Sequence, residues 1–222
     1  MKLGLVTVAT PLVAIAFSGC GGSSSSSSRT TATATTASTG TGSAAVTPPP
    51  ETPAALRGVR GVQGGVLVAG DLPGFVPRGF SRPSTSAQSA VAEYPPELRA
   101  PEAARLKALG FSATLIERLA PPTGAGANEE AISDVEQFRS AHGANGEVAS
   151  QLQLALKRGE NAFAVPGIPG ARGFGSSTAS PPDANVMFSV GAYYYLVGFG
   201  SKVPTRAQLI TAAQRLYGRV RG

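Results

Sequence analysis

His142 is the only histidine of this 222-residue chain, and Cys20 is its only cysteine. A general base at His142 would need a nucleophile and an orienting acid within hydrogen-bond reach. Asp134 and Glu136 lie close to it in sequence, and on a strand they would share one face. Such a set would suit a hydrolase or a transferase. No serine sits in a nucleophile-elbow motif, however, and a solvent-exposed loop histidine is the default reading of His142. Asp134 and Glu136, like the nearby pair Glu129-Glu130, could also bind a cation or act as acid and base. A solvated strand edge is the commoner origin of such pairs. One histidine without a free cysteine leaves only carboxylates as ligands, so no metal and no cofactor is expected.

Two further stretches invite a chemical reading. The run "PGIPGARGFGSS" (166–177) is rich in glycine but lacks a Lys-Ser/Thr end and opens no helix, so it is not a phosphate loop. In Tyr193-Tyr194-Tyr195 the alternation of a strand points Tyr193 and Tyr195 one way and Tyr194 the other. One set packs in the core and the other borders a groove or stays at the surface. Tyr193 and Tyr195 are the candidate binding surface, because tyrosine offers an apolar body with a polar tip.

The elements that must position these residues can be read from periodicity. Val66 to Val68 suggest a short element, and Asp71 to Gly74 a turn that sends Phe75 inward. Pro101-Glu102 opens a helix with Ala103, Leu106 and Leu109 on its apolar stripe and Gly110 as its stop. Residues 111–119 alternate as a strand, and 131–139 form a second, with Ile132, Asp134, Glu136 and Phe138 on one side. Residues 145–157 read as a helix carrying Val148, Leu152, Ala155 and Leu156 on one face. Residues 161–168 are expected to be a strand. "NVMFSV" and "YYYLVGFG" are two more, joined by a two-residue turn at Gly191-Ala192. Thr205-x-x-Gln208 is a capping box that opens the terminal helix. Its Leu209, Ile210, Ala213, Leu216, Tyr217 and Val220 should face the sheet, with Arg206, Arg215 and Arg219 facing water. The order αββαβββα describes an α+β domain, an antiparallel sheet with about three packed helices.

That domain should span residues 56–222. Ahead of it, residues 23–53 are Ser, Thr, Ala, Gly and Pro with only Arg29 and Glu51 charged. Such a segment cannot bury enough apolar surface to offset its ordering entropy. It reads as a tether averaging on the order of 30 Å end to end. Of 19 basic and 13 acidic residues, 17 and 12 lie within the domain, a mild positive excess. Attraction to an anionic envelope polymer or to lipid headgroups follows from that sign. No basic-aromatic motif supports nucleic acid as a partner.

The chain opens Met1-Lys2 and continues apolar to Phe17 apart from Thr7 and Thr10, broken by Gly4 and Pro11. The run is too short for a confident membrane span and has the form of an export signal. Ser18-Gly19-Cys20 then resembles the end of a bacterial lipobox, with Phe17 where that family carries an aliphatic residue. The resemblance covers residues 1–22. It implies a signal peptide over 1–19, cleavage before Cys20, a diacylated thiol there, and a lipidated tether over 20–55. Two acyl chains would give stable attachment, each buried methylene contributing about 0.8 kcal/mol. A second resemblance rests on "VPGIPGARGFG", "YYYLVGFGS" and "AQLITAAQRLY". These are similar to the carboxy-terminal part of small lipoproteins of high-GC Gram-positive bacteria, mostly of unknown function, and imply no catalytic residue. The expectation is therefore a lipoprotein on the extracytoplasmic face of the cell membrane. Its domain would be a non-catalytic module binding an envelope polymer, a lipid or a protein. The alternatives are an envelope hydrolase or transferase using His142 with a nearby acid, and a carrier enclosing an apolar ligand.

Overall fold

The computed structural model describes residues 65–80, 83–122, 130–176, 183–199 and 205–221. Cys20, the export signal and the tether lie outside them, as does Glu129. The chain folds as an α+β domain, and its seven strands form one antiparallel sheet in the order β1-β2-β3-β7-β6-β5-β4. The strands are β1 (Val76–Phe80), β2 (Phe111–Ala120), β3 (Ala131–Phe138), β4 (Asn161–Phe163), β5 (Arg172–Gly175), β6 (Ala184–Val190) and β7 (Tyr193–Phe199). The helices are α1 (Ala87–Ala90), α2 (Pro96–Ala108), α3 (Ala141–Lys157) and α4 (Arg206–Val220). From β3 the chain crosses by way of α3 to the far edge at β4, then returns strand by strand until β7 pairs with β3.

Alternation along the strands builds two separate cores, one on each face of the sheet. On one face Leu115, Leu119, Val135, Val186, Phe188, Tyr195 and Val197 meet Leu209, Ala213 and Leu216 of α4. On the other, Phe111, Phe138, Met187 and Tyr194 meet Ala103 and Leu106 of α2 and Ala144, Val148 and Ala155 of α3. The result is three layers, with α4 on one side and α1 to α3 on the other.

Several expectations need correction. The helix expected to open at Pro101 begins at Pro96, the first helical position, with Glu97 in its first turn. Pro101 lies inside it and has no N–H to give to the Glu97 carbonyl. α3 starts one turn earlier than its apolar spacing suggests, because the Ser140 side chain accepts from the Gly143 N–H and caps it there. The strand expected over 161–168 stops at Phe163, yet Val165 and Ile168 remain buried beyond it. Val66 to Val68 form no regular element; the Leu67 N–H donates instead to Ser133 Oγ at 2.9 Å, which lays the segment on the sheet. β1 and β5 were not anticipated.

The terminal helix carries its capping box, and Leu209, Ala213 and Leu216 are fully buried. Arg206, Arg215 and Arg219 are exposed, but they do more than face water. Arg215 Nη1 donates to the Gly70 and Asp71 carbonyls at 2.5 and 3.1 Å. Arg219 pairs with Asp71 at 2.6 Å and donates to the Val66 carbonyl. One turn apart on α4, the two guanidiniums clasp the segment 66–71. Arg206 lies over the Phe163 ring, 4.4 Å from its centroid.

Candidate functional site

Two places on the domain bring polar side chains together. The first is a groove at the β6–β7 turn. Gly191, at φ +56°, takes a left-handed conformation that starts this two-residue turn without steric cost. The turn sets Tyr193 and Tyr195 on the α4 face, their rings 6.4 Å apart. Tyr195 belongs to the core, stacked on Phe188 at 5.0 Å, and burial pushes its phenol up to about 12. Tyr193 is half-buried. Together with Val190, Ala192, Val220 and Arg219 they line an open groove of about 400 Å³. The pair singled out from sequence thus borders a concavity, whereas Tyr194 is sealed in the opposite core. The groove is open rather than enclosed, so it does not suit a carrier that must surround an apolar ligand.

The second place is an acidic cluster on the other face. Asp134 and Glu136 lie on β3, which runs between β2 and β7, so they do not form a solvated strand edge. Both are half-buried beneath the helical layer, and Glu136 Oε2 is fully enclosed with no hydrogen-bond partner. Asp134 Oδ1 accepts from Thr114 Oγ1 at 2.7 Å. Above them α3 brings Glu147, which is fully buried, and α2 brings Arg105 and Glu102. Gly143 and Gly146 make this approach feasible. A Cβ at Gly143 would run into the Leu109 carbonyl at the end of α2, and one at Gly146 would lie 2.7 Å from the Leu109 side chain. Close contact there places Glu147 on Arg105, which also binds Glu102 at 2.8 Å. Glu147 further accepts from Gln151 Nε2 at 2.7 Å.

The electrostatics follow from this packing. Burial raises the Asp134 carboxyl to about 7, against the help of the Thr114 hydroxyl and with the charge of Glu147 adding to the rise. Burial also raises Glu136 well above its ordinary range, reinforced by Glu147 and Asp134 and only partly opposed by Arg105. Tyr94 and Tyr194 are held neutral by burial and by the same carboxylates. Burial works against the Arg105 charge, but Glu147 and Glu102 outweigh it and keep the guanidinium firmly protonated.

His142 takes no part in either place. It is exposed on the first turn of α3 and makes no hydrogen bond or ion pair with Asp134 among the described residues. Among those residues no group of three or more His, Cys, Asp or Glu side chains is placed to hold a metal ion, and no helix is long and apolar enough to cross a membrane. Sequence reasoning missed Glu147 and Arg105. A signal existed for Glu147: it falls within the stripe of Gly143, Ala144 and Val148, an odd position for a charge on a half-apolar helix. Compared with family models, with curated proteins and with solved structures, the chain matches none.

Proposed function

We propose that this chain is a lipoprotein held by Cys20 on the extracytoplasmic face of a bacterial membrane. In this reading its domain is a non-catalytic module whose β6–β7 groove binds an anionic envelope polymer. Anchoring is supported by the Ser18-Gly19-Cys20 lipobox and the Ser/Thr-rich tether that follows it. Binding rests on one observation above all, the groove whose lining includes both the half-buried Tyr193 and Arg219. A tyrosine ring offers a flat apolar face to a sugar, and a guanidinium suits a phosphate or carboxylate on it. Nη1 and Nη2 of Arg219 each give a bond to Asp71 or Val66, which leaves further N–H groups among the five that a guanidinium carries. The positive excess of the domain favours the same ligand sign.

Co-sedimentation with purified anionic wall polymer tests this. Retention should weaken with rising salt, and Tyr193→Ala should lower it about tenfold, the scale of one lost contact worth roughly 1.4 kcal/mol, with a smaller loss of melting temperature than Tyr195→Ala because Tyr193 is only half-buried. Tyr195→Ala, by contrast, should destabilise the fold by about 3–5 kcal/mol, as aromatic truncation in a core does. Undiminished retention of Tyr193→Ala would remove the groove from the account.

A further inference from the structure

The acidic cluster is independent of the groove and lies on the opposite face of the sheet. The groups that face Glu136 come from every element packed around it. β3 contributes Asp134, α2 contributes Glu102 and Arg105, α3 contributes Glu147, β7 contributes Tyr194, and the segment after α1 contributes Tyr94. Four carboxyls therefore share one guanidinium, and Arg105 is committed to Glu147 and Glu102. Asp134 has a hydroxyl for a partner, and Glu136 has an enclosed oxygen with none. A carboxylate in such a place has little solvent and only a shared countercharge to stabilise it.

We propose that Asp134 and Glu136 form a proton-operated latch between the sheet and the α1–α3 layer, closed when both carboxyls hold their protons and loosened when they ionise. The raised titration of both groups supports the geometry. The sign is the reverse of that for a salt-bridged carboxylate. In the unfolded chain both groups titrate near pH 4. Above that value the folded state holds protons that the unfolded state has released, so stability falls as pH rises. For Asp134 the loss runs from about pH 4 up through about pH 7, and Glu136, raised in the same direction, adds to it. Within the window the folding constant drops by up to about tenfold per pH unit for each carboxyl. Glu117, on the other face, is raised by burial in the same direction, so a substitution at Glu136 is needed to separate the two.

The test is hydrogen–deuterium exchange and thermal melting of the intact protein at pH 5, 7 and 8.5, with Glu136→Gln beside the parent. The parent should lose melting temperature as pH rises, with faster exchange concentrated in α2 and α3. Glu136→Gln, neutral at every pH, should flatten the slope and exceed the parent at pH 8.5. Should Glu136→Gln fail to fold, Asp134→Asn serves the same purpose, since an amide oxygen can still accept from Thr114. Infrared spectra of the parent at neutral pH should also show a protonated carboxyl band that Glu136→Gln diminishes. A flat or rising stability profile in the parent, an unchanged slope in the neutral variants, or the absence of that band would overturn the latch.

Discussion

At the scale of single residues, Arg105 carries the largest electrostatic burden. Among the described residues it is the one cation paired with the fully buried Glu147. Removing one partner of a buried ion pair typically costs about 3–5 kcal/mol, because the other charge stays behind unpaired. Arg105→Ala should therefore be among the most destabilising changes near the protein surface, measured by urea unfolding at pH 7. The double variant Arg105→Met/Glu147→Leu should recover much of the loss, since Glu147 is no longer left as an unpaired buried charge. A double variant no more stable than Arg105→Ala would count against the pairing. Asp134 and Glu136 were legible as neighbours on one face, because alternation is a local property. Their burial was not, because it depends on β7 arriving from about 60 residues downstream to pair with the second edge of β3, and on α2 and α3 covering that face. Arg105 and Glu147 are separated by 42 positions, and no local pattern joins them.

At the scale of elements, α4 was the most legible, and the reason is physical. Its capping box and its 3.6-residue stripe both lie within the sixteen consecutive residues 205–220. Leu216 is fully buried between α4 and the sheet, so Leu216→Ala should cost about 2–5 kcal/mol. From sequence alone Arg215→Ala should be nearly silent, as most exposed sites are. The bonds from Arg215 to Gly70 and Asp71 raise that expectation to about 1 kcal/mol. Denaturant midpoints of the two variants check both statements; equal midpoints would mean that α4 is not docked through Leu216. Helix starts were less legible than helix bodies. A proline one turn inside α2 and two glycines near the start of α3 weaken the local signal. Packing against Leu109 and the Ser140 cap settle the outcome instead. β5 escaped notice for a related reason: Gly173 and Gly175 add nothing to hydrophobic alternation, and only Phe174 marks its buried face.

At the scale of the whole molecule, the α+β class was readable because antiparallel strands and amphipathic helices declare themselves segment by segment. The strand order was not, since it depends on α3 carrying the chain from β3 to the far edge at β4. The two faces of the sheet are then free to serve different ends, a groove beside α4 and a proton-sensitive seam beneath α2 and α3. Both would work at the end of the proposed tether anchored through Cys20, and that proposed location would give the groove its ligand class. Mass spectrometry of the amino terminus of the mature protein, isolated from its native membrane, tests that location most directly. The account predicts that Cys20 is the first residue and carries a diacylglyceryl group, and that Cys20→Ser loses the lipid and leaves the detergent phase. A mature terminus at another residue, or an unmodified thiol at Cys20, would contradict it.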